Sequence, residues 1–272
     1  MYIYKHLILF TLITFISCSK KEPEPFTFIQ LCDTQLGMGG YEHDIKTFKQ
    51  AVKQINELNP DFVIICGDLV NNASDSTYTD FNLIKSQFKM DCYCAPGNHD
   101  VGNVPTEESL NYYRKIIGED YYSFENKGYS FVITNSQLWK EDIKGESKKH
   151  DDWFKKTIKS INTKEQPIFV AGHYPLFLEN YDEVDQYFNL PLEKRLELLN
   201  LFEQNNIVAY ISGHAHMPII NNYKNIKLVS GEATSKNLDS LPSDLGFRRW
   251  QVSRDTIIQS FISLTPPLNE SP

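Results

Sequence analysis

Apolar positions along this chain follow two periods. Three short runs, Phe26 to Cys32, Phe62 to Cys66 and Cys92 to Ala95, read as strands. Phe62 to Cys66 is apolar throughout, the pattern of a strand in a parallel sheet covered on both faces. Between the first two runs, Ile45, Phe48, Val52, Ile55 and Leu58 recur at helical spacing over Glu42 to Leu58, and Asn59-Pro60 stops that helix. A second helical stretch runs from about Tyr78 to Phe88. This β-α-β-α-β alternation predicts a right-handed α/β unit.

The pattern then changes. Tyr121 to Glu125 and Tyr129 to Asn135 predict a hairpin turned at Asn126-Lys127-Gly128. Helices are expected over Lys149 to Ile161 and Glu193 to Gln204, each followed or preceded by strands at Pro167 to Ala171 and Ile207 to Ser212. The C-terminal part reads as strands at Ile219 to Asn221, Ile226 to Ser230, Arg249 to Ser253 and Thr256 to Ile262. Two βα halves ending in antiparallel strands imply an α/β fold with two sheets face to face and helices outside. No internal repeat or second domain is visible, so residues 26–264 are expected to form one domain, with 265–272 a tail.

Composition narrows the function. The chain has 272 residues, 41% hydrophobic, and a formal net charge of −8. One core is expected at this length, and an acidic chain is not expected to bind nucleic acid, which needs clustered Lys and Arg. Lys148-Lys149 and Arg248-Arg249 read as ordinary solvated surface pairs. At the N-terminus, Lys5 precedes the apolar run Leu7 to Ile16, which is too short to span a bilayer and fits a signal peptide. The run ends in Ser17-Cys18, which resembles a bacterial lipobox. Residues 1–17 are therefore expected to be a lipoprotein signal peptide, Cys18 the lipidated residue and 18–25 a polar tether. The implied location is an exported bacterial lipoprotein, anchored to a membrane on its periplasmic or cell-surface side; a plain secretory signal is the other reading. Cys32, Cys66, Cys92 and Cys94 lie in apolar runs without a C-x-x-C pair and read as buried inert thiols.

Candidate chemistry collects where strands end. Asp33-Thr34-Gln35, Gly67-Asp68-Leu69-Val70-Asn71 and Gly97-Asn98-His99-Asp100 follow the first three strands. His173 follows a later strand, and His214 and His216 follow the next. The C-terminal edge of an α/β sheet is where ligands bind. Carboxylates, an amide and imidazoles on one rim suit borderline divalent metals such as Mn, Fe, Zn, Co or Ni. Each preceding glycine is expected to let the backbone turn sharply.

The ordered series D-x-Q, G-D-x-x-N, G-N-H-D, G-H, G-H-x-H resembles the calcineurin-like metallophosphoesterase family, over about Phe26 to Ile262. Asn135-Ser136-Gln137, Pro175 to Glu179 and Tyr187-Phe188-Asn189-Leu190 are similar to its subgroup of calcineurin-like phosphoesterase domain-containing protein 1, whose animal members are described as serine/threonine protein phosphatases. The resemblance implies a four-layer αββα sandwich of two mixed β-sheets and two divalent metal ions. It implies that Asp33 and His216 hold the first metal, Asp68 bridges, and Asn98, His173 and His214 hold the second. Gln35 stands where most of the family has His, implying a looser first site or a water held by the amide. His99 is implied to act beside the substrate as the acid for the leaving alkoxide, with Asp100 orienting it. The implied reaction is hydrolysis of a phosphomonoester by a metal-bridged hydroxide. A phosphodiesterase acting on small nucleotides or lipid head groups, or a non-catalytic surface lipoprotein with the same fold, are the alternatives. The acidic loop Glu179 to Asp185, with Tyr181, Tyr187 and Phe188, either borders the site or is a solvated loop with aromatic anchors.

Overall fold

The first strand pairs on both sides at once. In the computed structural model, which describes residues 24–238 and 244–264, β1 (Phe26–Leu31) lies parallel to β2 (Phe62–Cys66), and β2 to β3 (Asp91–Ala95). On its other side β1 meets β10 (Gly246–Ser253) antiparallel, and β11 (Thr256–Ser263) closes the edge, giving the order β11-β10-β1-β2-β3. The second sheet runs β4-β5-β6-β7-β9-β8, built from β4 (Tyr122–Asn126), β5 (Tyr129–Ile133), β6 (Ile168–Ala171), β7 (Ile207–Ser212), β8 (Ile219–Tyr223) and β9 (Ile226–Ser230). Its middle strands β5, β6, β7 and β9 are parallel, and β4 and β8 are antiparallel edges.

Three apolar clusters separate the layers. Helices α1 (Tyr41–Leu58), α2 (Asp75–Lys85) and α4 (Glu107–Ile116) bury Phe48, Ile55, Phe81 and Leu110 against one face of the first sheet. Helices α6 (Glu146–Asn162) and α7 (Leu192–Gln204) bury Phe154, Ile158, Leu198 and Phe202 against the second. Between the sheets lies an aromatic layer in which Phe28 stacks on Phe62 at 5.2 Å and on Trp250 at 5.6 Å, and meets Phe131 edge-on at 5.4 Å. Two short helices, α3 (Asn98–Val101) and α5 (Gln137–Lys140), follow β3 and β5. The expected αββα sandwich of two mixed sheets is thus the observed one.

Gln30 crosses the inter-sheet layer. Its Nε2 donates to the carbonyls of Ser212 and Val229 at 2.9 and 3.0 Å, and its Oε1 accepts from Trp250 Nε1 at 2.9 Å. A buried amide satisfied on both atoms ties the sheets together just below the strand ends that carry the candidate residues.

Two expectations fail for physical reasons. Arg248 is not solvated surface: it is 4% exposed and its Nη2 donates to Glu232 at 2.6 Å. Strand β10, which carries it, begins at Gly246 rather than Arg249. Helix α2 starts earlier than the apolar spacing suggests, because Ser74 Oγ accepts from Thr77 N at 3.3 Å while Ser74 N donates to Thr77 Oγ1 at 3.1 Å. The segments 1–17 and 265–272, and Cys18 with most of the 18–25 tether, lie outside the described residues. No helix among the described residues is long and apolar enough to cross a membrane.

Candidate metal centre

Five strands end on one rim. Asp33 and Gln35 follow β1, Asp68 follows β2, and Asn98, His99 and Asp100 form α3 after β3. His173 follows β6, and His214 and His216 follow β7. The two sheets therefore face their ligand-bearing ends toward each other. Gly67 has φ +84°, the sharp turn expected. At Gly97 the reason is space instead, since a Cβ there would lie 2.1 Å from Asp68 N.

The tautomers report what the rim can hold. His173 Nδ1 lies 2.8 Å from the Cys66 carbonyl and must donate to it. In the neutral ring its Nε2 is then a bare lone pair. That atom faces Asn98 Oδ1 at 3.0 Å, His214 Nδ1 at 3.1 Å and Asp68 Oδ2 at 3.4 Å. Asn98 Nδ2 is engaged by Asn103 Oδ1 at 3.0 Å and Tyr187 Oη at 3.3 Å, which turns its oxygen inward. Across the rim, His216 Nδ1 donates to the Lys236 carbonyl, and its Nε2 faces Asp33 Oδ1 at 3.5 Å. Lone pairs converging on lone pairs need a positive charge between them. The donor atoms of Asp68, His173 and His214 lie within 4.8 Å of one another, all buried.

In the protein alone, a proton supplies that charge. Burial opposes ionisation of His173, but the Asp68 carboxylate beside it outweighs burial and pushes the imidazole up to about 9. Burial likewise raises Asp68, yet His173 holds it below the ordinary carboxylate range. Burial and then the charge of His173 drive His214 well below a normal imidazole. Burial outweighs His216 at Asp33, whose carboxyl is raised. The donors fit a divalent cation, which would replace the proton. Gln35 adds a second sign of fit: its Nε2 reaches Asn71 Oδ1 at 3.5 Å, and its Oε1 is buried with no hydrogen-bond partner.

Asp100 differs from expectation. It does not orient His99. Its carboxylate accepts from Gly97 N at 2.7 Å, Leu69 N at 3.1 Å and Val70 N at 3.4 Å, and from the Tyr78 hydroxyl at 3.4 Å. It thereby binds the Asp68 loop to the Asn98 loop. His99 is held instead by its own Nδ1, 2.9 Å from the Asn71 carbonyl, and by its backbone N–H, which donates to Asp68 Oδ1 at 2.9 Å. The ring is only half-buried.

The segment Asn135-Ser136-Gln137 braces the same rim from the second sheet. Ser136 Oγ accepts from the N–H groups of His173 and Tyr174, both at 3.0 Å. The Gln137 amide, turned as its neighbours require, accepts from Asn98 N at 2.6 Å and donates to the Pro96 carbonyl at 3.3 Å. Tyr187 and Phe188, just after the acidic loop, border the site: their rings lie 5.0 and 5.4 Å from His214. Trp139, by contrast, is a core residue, with Nε1 donating to Asp151 at 3.0 Å. Among the described residues, Cys32, Cys66 and Cys94 are buried and Cys92 is half-buried.

Comparison with known proteins agrees with this geometry. The calcineurin-like phosphoesterase family profile matches residues 26–218. The chain is 32% identical over 276 residues to serine/threonine-protein phosphatase CPPED1 of Bos taurus, covering 90% of this chain and 87% of that protein. The Homo sapiens protein of the same name is 31% identical over 275 residues, with the same coverage of 90% and 87%. Among solved structures, a dimetal phosphatase from Danio rerio superposes with a TM-score of 0.67 at 14% identity, covering 88% of this chain and 96% of that one, a likeness of fold.

Proposed function

The chain belongs to the calcineurin-like phosphoesterase family, and from that premise we propose that this metallophosphoesterase is a phosphomonoesterase with two divalent metal ions. The observation that carries the reading is the convergence of His173 Nε2, Asn98 Oδ1 and Asp68 Oδ2 on one buried point. Asp68, Asn98, His173 and His214 would hold one ion, and Asp33, Asp68 and His216 the other, with the Gln35 oxygen offered to the ion at Asp33. The donor set suits Mn, Fe, Zn, Co or Ni. When bound, the pair supplies an activated water and charge to clamp phosphoryl oxygens. His99 is fixed by the Asn71 carbonyl at Nδ1 and by Asp68 at its backbone N–H, and as the imidazolium, with a second proton on Nε2, it would pass that proton to the leaving alkoxide. Asp100 acts through the loops it joins, keeping Asp68 and Asn98 at their spacing.

The relatives named as serine/threonine-protein phosphatases support the monoester side of this reading. The test is hydrolysis of p-nitrophenyl phosphate and bis-p-nitrophenyl phosphate by chelator-treated protein reloaded with each metal. Preference for the monoester, abolished by chelator, is expected. Preference for the diester would assign a phosphodiesterase, and no turnover with any metal would leave a binding module.

The N-terminal pattern supports a separate reading. Residues 1–17 act as a lipoprotein signal, and Cys18 carries the lipid that anchors the 26–264 domain through the 18–25 tether, outside the cytoplasmic membrane. Cys18→Ala should no longer incorporate labelled palmitate or partition into detergent. Unchanged labelling would refute the anchor.

A further inference from the structure

Beside the metal rim lies a cavity of about 450 Å³, within the range of small-molecule sites. Leu178, Phe188, Ala215, Met217, Ile220 and Leu238 give it an apolar lining. Glu179 is the single charged residue among the described lining residues, and it is negative. The other polar one, Asn221, already donates its Nδ2 to the Leu178 carbonyl at 2.9 Å. A phosphate has no partner here. An uncharged organic group does.

The cavity adjoins the centre. Ala215 stands between His214 and His216, and the Phe188 ring that forms another wall lies 5.4 Å from the His214 ring. Its outer wall is also held in place. Glu183 accepts from the N–H groups of Leu178 and Glu179, both at 2.8 Å, and from Asn180 N at 3.1 Å. The fully buried guanidinium of Arg195 donates to the carbonyls of Tyr181 and Glu183 at 2.9 Å and of Leu190 at 2.8 Å. A loop fixed at so many backbone points forms a standing wall. Pre-formed walls of this kind lower the ordering cost of binding.

We propose that this cavity binds the apolar organic group of the phosphate ester, so that the preferred substrates are monoesters of alcohols carrying several methylenes or an aromatic ring. The inference rests on the phosphoesterase reading for its chemistry, and on the cavity for its specificity. Methyl, butyl and octyl phosphate leave as alcohols of similar acidity, so their relative rates report binding of the chain rather than leaving-group strength.

The experiment uses the manganese-loaded full chain and two readouts. One is kcat/KM for the three esters below their aggregation concentrations. The other is calorimetric binding of the matching alkylphosphonates, which are not hydrolysed. Both should improve by roughly two- to fourfold for each methylene buried. Ile220 is 54% exposed on β8, so substitution there leaves the core intact. Ile220→Glu should remove most of the advantage of octyl over methyl phosphate in both readouts, while Ile220→Leu keeps it. Metal-dependent turnover without any chain-length effect would overturn this inference and spare the phosphoesterase reading. Chain-dependent phosphonate binding, sensitive to Ile220→Glu but without hydrolysis of any ester, would do the reverse. An Ile220→Glu variant that loses all three esters equally, or that instead loses a concentration-dependent dimer, would overturn the assignment of the cavity to the substrate.

Discussion

Five of the rim residues, Asp33, Gln35, Asp68, His214 and His216, have φ between +34° and +69°. Left-handed backbone at non-glycine residues costs about 1–3 kcal/mol each and persists where neighbours over-determine it. Here the neighbours are visible: Gln35 N donates to the Asp68 carbonyl at 2.8 Å, and His214 N donates to Asp33 Oδ1 and Oδ2 at 3.2 and 3.1 Å. The candidate ligands are thus pre-set by the protein's own contacts. Asp68 meets Gln35 N, His99 N and His173 Nε2, so Asp68→Ala should leave a folded protein with little bound metal. Full occupancy by elemental analysis would exclude its bridging role. His99→Ala predicts the opposite split, because His99 touches Asp68 only through its backbone. Metal content should persist while kcat on alkyl phosphates falls about 10²–10⁴-fold. The loss should be much smaller on p-nitrophenyl phosphate, whose leaving group needs no proton. Equal losses on both substrates would remove the acid role.

At the level of elements, legibility followed the strength of the pattern. Phe62–Cys66, Ile207–Ser212 and Ile226–Ser230 were readable to the residue, because strands within a covered sheet are almost continuously apolar. Helix α4 was not, since only Leu110 and Tyr113 of its ten residues are buried, too few to set a period. The candidate ligand side chains were legible as a group because they follow strand ends. Their supports were not, because many are backbone carbonyls: Cys66 for His173, Asn71 for His99 and Lys236 for His216. A carbonyl carries no sequence signal. Asn135-Ser136-Gln137 was visible only as a resemblance, and the structure supplies its reason, a brace from β5 onto the Asn98 and His173 loops. Loss of outer supports at metal sites typically costs 10–100-fold in affinity. Gln137→Ala should therefore weaken metal binding by about that factor in a competition titration with a chelator, with the fold retained by circular dichroism. Unchanged affinity would reduce Gln137 to a packing residue.

For the whole molecule, the sandwich separates a polar, cation-seeking rim from outer helical layers in which a buried charge needs a partner. His150 on α6 tests that division. It is fully buried, with its ring 4.9 Å from Tyr121, 5.1 Å from Trp139 and 6.0 Å from Trp153. Neither ring nitrogen has a hydrogen-bond partner. Burial first, then the nearby charges of Lys194 and Arg114, push its imidazole down to about 3. Both cations are themselves paired, Lys194 with Asp151 at 2.6 Å and Arg114 with Asp120 at 2.7 Å, so neither readily moves away. In the unfolded chain the same imidazole titrates near 6.5. Between those values the unfolded state binds a proton that the folded state refuses. The contribution to stability is therefore complete above about pH 6.5 and is lost as the pH falls toward 3. At pH 5 the loss from this one group amounts to about 2 kcal/mol. Denaturant unfolding at pH 8 and pH 5 should show His150→Phe losing less stability over that interval than the parent, by about the same 2 kcal/mol. Other groups contribute equally to both proteins, so the difference isolates the buried ring. Parallel losses in parent and variant would mean that His150 is protonated within the fold, and that the aromatic cage around it admits a charge.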